Sequence, residues 1–469
     1  MSRLTIFLLA GTLILSGCSA VPELGPAPAL RDPADLATGK SLKAATMEWP
    51  SERWWTRYGD RQLDQLMDEA LAGSPTLAET HARLRSAQAR ADQAAGSILP
   101  SLGANGQLAD TKQSYNAGFP KQFVPQGYKD VGRLSLDLGY DLDLWGRNRA
   151  ALAAAISEAR AAEADAAQAR LLLTTGLVIA YADFARTCAE LRAAEASVQN
   201  RKMSTGLVTR ELANGAANRG EALQAEAAWA SARADLADLQ EQASLARNRI
   251  AALLGAGPDR GLALTPPTAL ANAGSGLPER LDADLVGRRP DLTATRLRAE
   301  AAARRIDIAR AGFYPNVNLA AYLGLQSLGL DMLTRSGSEI GQVGLALSLP
   351  IFEGGRLEAG YHGARAEYDA AVAVYNQTLV MALRDIADAT AGERSLATRL
   401  TAAREALISG EAAYNIARLR YEGGLSSYLI LLSSENAVIA QRRAVAQLEA
   451  RALGLDASLT RALGGGFRR

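Results

Sequence analysis

Reactive side chains are scarce in this chain: its 469 residues include only two cysteines and two histidines. Cys18 and Cys188 are too few for a disulfide framework, and His81 and His362 lie too far apart in sequence to anticipate a zinc site or a histidine-based catalytic centre. Charge of one sign is also lacking. The 51 basic and 50 acidic residues give a net charge of +1, which excludes a strongly basic nucleic-acid surface and an acidic solvating tail. Beyond residue 15 no run of about 18 uninterrupted apolar residues occurs, so no second helical membrane span is expected. No phosphate-binding glycine loop appears, and Gly-Leu-Val-Thr or Glu-Gly-Gly fragments do not qualify as one. With no convergent acid, base, nucleophile or metal set in view, the chain reads as a protein that is not an enzyme, with no cofactor, no metal and no nucleic-acid partner. Aromatic residues make up only 5% of the sequence and alanine is the filler throughout, which suits long helices packed closely through small side chains.

What is present begins at the N-terminus. Arg3 precedes an apolar run from Leu4 to Leu15, followed by Leu15-Ser16-Gly17-Cys18. The run is short for a permanent span and ends in small residues, the pattern of an export signal over residues 1–17. Leu-Ser-Gly-Cys resembles a bacterial lipobox, which makes Cys18 the expected lipidation site; two or more acyl groups give long-lived membrane residence where one gives only marginal binding. Ser19, rather than an aspartate, directs the expectation to outer-membrane lipid. Residues 18–46 are rich in Pro, Ala and Gly without periodicity and read as a tether.

The most informative feature is an internal duplication. Pro75 and Pro100 bracket one helical segment, and Pro290 and Pro315 bracket another, 215 positions later in both cases. Further on the offset becomes 209: Gly146-Arg147 matches Gly355-Arg356, Gly215 matches Gly424, Glu226 matches Glu435, and Leu254-Gly255 matches Leu463-Gly464. The difference falls in one loop of the first copy, between Leu108 and Arg133, where length changes are tolerated. The first copy is assigned to 47–254, a linker to 255–289, the second copy to 290–464 and a tail to 465–469.

Both copies share one grammar. Proline in the first turn opens a helix of about 23 residues, roughly 35 Å, and a second proline closes it. Two segments of period-two alternation follow, within about 100–145 and 315–352, the pattern of strands with one apolar face. Long helices are then expected over 147–213 and 356–422, about 67 residues or near 100 Å each. Glycine turns reverse the chain into return helices over about 216–254 and 425–463, near 58 Å. The two shorter helices of a copy sum to about 93 Å, so stacked end to end they match the long one. In the first long helix Leu177, Tyr181, Phe184, Cys188, Leu191 and Val198 form a heptad-type seam, and Cys188 there reads as a small buried side chain.

Four strands of about ten residues suit an outer membrane but cannot close a barrel, and open edges are not tolerated in lipid. Three copies of the chain supply twelve strands; periodicity alone leaves two or four copies open, as it does a soluble four-stranded sheet on a helical bundle.

The residues themselves also carry a resemblance. Trp49 to Leu66 (WPSERWWTRYGDRQLDQL), Tyr140-Asp141-Leu142-Asp143-Leu144-Trp145-Gly146-Arg147, Arg288-Arg289-Pro290-Asp291-Leu292, Leu349 to Arg356 (LPIFEGGR) and Arg420-Tyr421-Glu422-Gly423-Gly424 closely resemble the TolC-like outer-membrane factor family. The match is to its lipoprotein branch, the NodT-type channels of resistance-nodulation-division efflux systems, over about residues 45–464. The resemblance implies a mainly α fold with a β membrane part, in which a homotrimer shares a twelve-stranded outer-membrane barrel and a long periplasmic helical barrel. Irregular segments near 45–72 and 255–289 girdle the helices. It implies three partners besides sister chains: a periplasmic membrane-fusion adaptor, an inner-membrane pump and outer-membrane lipid. Small molecules leave through such a conduit.

The family closes its tunnel at the periplasmic tip, which maps the gate candidates here to Arg210, Glu211 and Gly215 in the first hairpin, Glu221 just beyond it, and Arg418, Arg420, Tyr421, Glu422, Gly423 and Gly424 in the second. Relatives often carry an acidic ring near the tip; Arg418 and Leu419 stand where one is sought, so cation selectivity is not implied. Tyr115, Phe119, Phe123 and Tyr128 fall on the loop between the first two strands, and Trp145 and Phe352 before each long helix, near the periplasmic membrane interface. Two other readings are a type I protein-secretion conduit, which shares the fold, and a lipid-anchored periplasmic scaffold without a pore.

Overall fold

The computed structural model describes residues 21–42, 45–267, 276–278 and 281–468. Cys18 and the export signal lie outside the described residues. The chain is mainly helical: α1 (Arg61–Gly73), α2 (Pro75–Gly96), β1 (Ser101–Thr111), β2 (Lys129–Asp141), α3 (Arg147–Ala213), α4 (Arg219–Leu253), α5 (Asp259–Leu262), α6 (Leu281–Arg288), α7 (Pro290–Ala311), β3 (Asn316–Leu328), β4 (Glu339–Ser348), α8 (Arg356–Glu422) and α9 (Tyr428–Ala462). Both long helices, α3 and α8, contain 67 residues, and both return helices, α4 and α9, contain 35.

Local chemistry sets these boundaries. The Asp60 carboxylate accepts from the backbone N–H groups of Gln62 and Leu63 and starts α1, and Pro75 begins α2 where its missing N–H costs nothing. The first return helix starts at Arg219, three residues later than its sequence pattern suggested, because Asn218 caps it. The Asn218 side chain accepts from Glu221 N–H while the Glu221 carboxylate accepts from Asn218 N–H, a reciprocal capping box. The second return helix likewise begins at Tyr428, after Ser427 in extended conformation. The linker over 255–289 is not wholly irregular, since it holds α5 and α6.

The chain divides into two compact units. One contains Arg83–Ala162, Thr295–Tyr375 and the described part of Met1–Leu30. Its centre is an antiparallel sheet of order β1-β2-β3-β4, in which Leu136 stands between Ala104 and Leu323, and Ala321 between Leu138 and Val343. Within the described residues β1 and β4 each have one open edge.

The other unit comprises Arg31–Ala82, Glu163–Ala294 and Asn376–Arg469. Its core gathers Trp54, Trp55, Tyr58, Leu63, Leu66 and Met67 against Leu177, Tyr181, Phe184 and Ile250. Polar groups entering this core are paired, as burial requires. Tyr181 Oη donates to Asp60 at 2.9 Å, Arg57 reaches Asp456 at 2.5 Å, and Tyr58 Oη donates to the same Asp456 carboxylate. Of the expected seam on α3, Leu177, Tyr181, Phe184 and Cys188 are buried and Leu191 and Val198 partly so. Burial pushes the Cys188 thiol up, away from the reactive thiolate. One window of α3 is apolar enough to cross a membrane, but 67% of it is buried inside the protein, as in an ordinary core helix.

Candidate functional site

The strand alternation sorts the sheet into two unlike faces. Antiparallel partners share a face, so the register places Leu102, Ala104 and Leu108, Leu134, Leu136 and Leu138, Leu319, Ala321, Leu323 and Leu325, and Val343, Leu345 and Leu347 together. Leu102, Leu108, Leu323, Val343 and Leu345 are each 68–75% exposed, so among the described residues nothing covers this apolar face at those positions. The opposite face carries Asn105, Gln107, Arg133, Ser135, Asp137, Asn318, Tyr322, Gln326 and Gln342. Its polar groups serve one another. Asn105 Nδ2 donates to the Asp137 carboxylate at 2.7 Å, Ser135 Oγ donates to the same carboxylate at 2.9 Å, and the Arg133 guanidinium lies 5.1 Å from the Tyr322 ring centre. A bare apolar face backed by a polar face is the chemistry of a sheet with lipid on one side and water on the other.

Amphipathic aromatics mark one end of the sheet. Trp145 stacks on Tyr314 with ring centres 4.5 Å apart and its indole N–H donates to the Pro315 carbonyl at 2.8 Å, while Phe352 is 89% exposed. At the other end, the loop between β1 and β2 holds exposed Phe119, Phe123 and Tyr128. Tyr115 Oη accepts from Gly127 N–H there, and the Lys112 ammonium lies near the Tyr115 and Tyr128 rings.

The hairpin turns lie in the second unit. Gly215 and Gly424 both sit at φ +72°, where a side chain is strained, and close the α3–α4 and α8–α9 turns. Around them Val208, Ala222, Ala225, Tyr421, Tyr428 and Leu431 form a small buried cluster. The gate candidates divide into three groups. Glu211 and Tyr421 meet: the Tyr421 hydroxyl donates to Glu211 at 2.8 Å, and its ring packs edge-on against Tyr428 at 5.8 Å. Burial and the neighbouring Glu211 hold the Tyr421 phenol well above its ordinary range, so it stays a donor. Glu221 is engaged in the α4 capping box. Arg210, Arg418, Arg420 and Glu422 lie exposed on α3 and α8, Arg210 donating to the Gly206 carbonyl, and Gly423 and Gly424 form the exposed turn.

Sequence reasoning missed the strongest polar element of this region. Arg201 on α3 is buried and its guanidinium reaches Glu435 at 3.3 Å and Asn436 at 2.6 Å on α9, and the Ala228 carbonyl at 3.0 Å on α4. Both charged side chains are nearly dry, at 8% and 12% exposure. Burial raises the Glu435 carboxyl above its ordinary value and Arg201 pulls it only partly back; one Glu435 oxygen is buried with no hydrogen-bond partner. The clue was the duplication itself, which sets Arg201 opposite Gly410 in the second copy: an arginine replacing a glycine on a helix face has work to do there.

Comparison with known proteins agrees with this geometry. Residues 66–256 and 283–465 match the family described as Outer membrane efflux protein. The chain is 31% identical over 485 residues to the multidrug resistance outer membrane protein MdtP of Shigella flexneri, covering all of this chain and 97% of that one. It is 36% identical over 370 residues to the fusaric acid resistance protein FusA of Burkholderia cepacia, covering 77% and 69% respectively. Among solved structures, the outer membrane protein VceC of Vibrio cholerae superposes with a TM-score of 0.84 at 42% identity, over 90% of this chain and all of that one. Sheet, hairpins and sequence converge on one conclusion: the chain belongs to the outer membrane efflux protein family.

Proposed function

We infer that this protein is the outer-membrane channel of a tripartite efflux system, a passive conduit that carries small molecules from the periplasmic side to the outside. The observation that carries the reading is the four-stranded sheet with one bare apolar face, one polar face and two open edges. Open edges cannot stand in hydrocarbon, so the strands must be completed by further strands. Three copies give a twelve-stranded barrel, apolar outside and polar inside, and families of this kind assemble as trimers. The long helices continue the passage into the periplasm, where an adaptor and an inner-membrane pump deliver the cargo: drugs, other toxic compounds or metal ions. The energy comes from the pump.

Purified protein reconstituted in liposomes is expected to conduct ions, weakly while the tips are closed and strongly once Tyr421→Phe and Glu211→Gln are combined. Absence of conductance in both forms supports a scaffold without a pore and overturns the conduit.

The export signal and Cys18 complete the proposal with a lipid anchor. The described N-terminal strap supports it: Arg365 on α8 donates to the Gly25 carbonyl at 3.3 Å and also to that of Pro26, and Tyr368 lies 3.5 Å from the Pro28 carbonyl. The strap thus advances toward the C-terminus of α8 as its own numbering rises, so its N-terminal end points back toward the start of α8, beside the sheet. Arg365 is nine residues into α8, about 14 Å, whereas the six residues from Cys18 to Leu24 span up to about 20 Å. That span is long enough for a lipidated Cys18 to meet the membrane boundary, as the anchor requires. Cys18→Ser is expected to abolish lipid labelling in mass spectra of the mature protein; acyl groups persisting on that variant overturn the anchor.

A further inference from the structure

A groove on the helical wall of the second unit carries charge that the fold does not use. It encloses about 550 Å³ between α3, α8 and α9 and is lined by Arg186, Arg399 and Arg451, with Asp183 as its one acid and Ile179, Leu448 and Leu455 among its apolar residues. Glu190 holds Arg186 at 3.0 Å from the next turn of α3, and Arg249 answers Asp183 at 3.6 Å. Arg399 and Arg451, by contrast, are exposed and meet no carboxylate within ion-pair reach among the described residues. With Glu190 and Arg249 included, four guanidinium groups stand against two carboxylates.

Helix phase fixes which way the groove opens. Leu177, Tyr181 and Phe184 of α3, and Leu453, Asp456 and Thr460 of α9, gather with or bond to the segment 54–67. Ile179, Asp183 and Arg186 stand two residues after the first three, and Arg451, Gly454 and Ser458 two residues before the second three, about 200° around each helix. The groove is therefore on the face turned away from that segment. Since the segment girdles the helices from outside, the groove of the assembled channel faces the passage.

The duplication supplies an internal control. Under the 209-residue offset Arg186 corresponds to Ser395, Arg399 to Glu190 and Arg451 to Gln242, while Gln447 and Ala450 of the groove correspond to Asp238 and Glu241. None of the three arginines recurs, and two uncharged positions are acidic in the other copy. Helix packing common to both copies thus does not require the positive charge; it belongs to this groove.

We propose that the groove binds amphipathic organic anions, small molecules with a carboxylate, sulfonate or phosphate on an apolar body, and that such anions are a cargo class of the conduit. The proposal deepens the channel reading and rests on it. Guanidinium forks match these anionic groups in shape and charge, and Ile179, Leu448 and Leu455 receive the apolar body. A groove of about 550 Å³ takes a drug-sized molecule. Because charge pairs open to water are individually weak, the site holds its ligand loosely, as a stopping point that must also release requires.

Two measurements test it. In the first, naphthalenesulfonate is titrated calorimetrically into the full-length protein in lipid nanodiscs, with empty discs as the reference. Binding is expected, and Arg399→Gln with Arg451→Gln is expected to weaken it about tenfold, or about 1.4 kcal/mol for two exposed guanidiniums. Arg404→Gln with Arg442→Gln removes the same charge from arginines already paired with Glu449 and Glu411, and is expected to leave the affinity unchanged. No binding, equal binding of the neutral naphthalenemethanol, or the same affinity in both double variants overturns the anion site. In the second, conductance of the combined Tyr421→Phe and Glu211→Gln form is recorded as naphthalenesulfonate is added. A graded fall that Arg399→Gln with Arg451→Gln relieves supports a site inside the passage. Conductance indifferent to the anion, with binding intact, overturns the placement in the passage and the cargo role. No conductance with or without the tip substitutions overturns the conduit itself, whatever the groove binds, so failure of the groove and failure of the channel are told apart.

Discussion

Replacing Arg201 with alanine is expected to destabilise the hairpin tip by about 3–5 kcal/mol, the cost of leaving a buried charge without its partner. The magnitude follows from dryness. Glu435 is 12% exposed, one of its oxygens has no hydrogen-bond partner, and the guanidinium that partly offsets its desolvation is the group removed. The pH dependence has a definite sign. A carboxyl whose folded pKa is raised binds its proton more tightly folded than unfolded, so its contribution is fully favourable below the ordinary value of 4.5 and is lost as pH rises through the raised folded value. Removing Arg201 raises that folded value further. The deficit of Arg201→Ala relative to the parent protein is therefore greatest near neutral pH and shrinks as pH falls toward 4.5. Glu435→Gln added to Arg201→Ala removes the charge and recovers most of the loss at neutral pH, flattening the dependence. Hydrogen exchange of α3 and α9 amides around 201 and 435, measured at two pH values, reads all three. An Arg201→Ala deficit that does not change with pH refutes the assignment of the cost to Glu435.

The fold class was legible because it rests on long-range regularities, whereas the channel function came from the family resemblance carried by motifs such as Arg289-Pro290-Asp291-Leu292 and Arg420-Tyr421-Glu422-Gly423-Gly424. Proline and glycine punctuation marks the starts of α2 and α7 at Pro75 and Pro290 and of α3 and α8 after Gly146 and Gly355, and period-two alternation separates Leu134, Leu136 and Leu138 from Arg133, Ser135 and Asp137. Such signals depend only on the chain's own geometry. The tip resisted reading because its chemistry depends on which helix faces which. Arg201 and Glu435 are 234 positions apart, and in sequence both look like ordinary charged positions on an amphipathic helix. Arg418, Arg420 and Glu422 attracted notice through their nearness to the turn, yet they lie exposed, while the pair that is buried sits about three turns further up the hairpin. Glu221 was legible as important but its structural engagement is a helix cap, a local function that any chain needs at that point.

Gly255→Ala and Gly464→Ala are each expected to cost about 2–5 kcal/mol, combining left-handed backbone strain with overpacking. Gly255 lies at φ +71°, and a Cβ there would run into the Gly73 carbonyl and lie 2.9 Å from Pro75 Cδ. Gly464, at φ +87°, would place its Cβ against the Arg288 carbonyl. Both glycines sit just past the C-terminus of a return helix and touch the residues that precede a proline-started helix: α4 meets the start of α2, and α9 meets the start of α7. These are the joints at which two shorter helices abut end to end, the arrangement that lets them together match one long helix. At the second joint Arg289, itself held by Asp291 at 2.6 Å, also donates to the Ala462 carbonyl at 3.0 Å, so a shifted backbone there costs that hydrogen bond at the helix end as well. Gly215 supplies the control. It has φ +72° but nothing within reach of a Cβ, so Gly215→Ala carries only the strain, about 1–2 kcal/mol. Thermal unfolding of the three variants in detergent is expected to place Gly215→Ala well above the other two. Equal midpoints for all three would mean that close approach at the joints contributes nothing and that left-handed geometry alone explains the glycines.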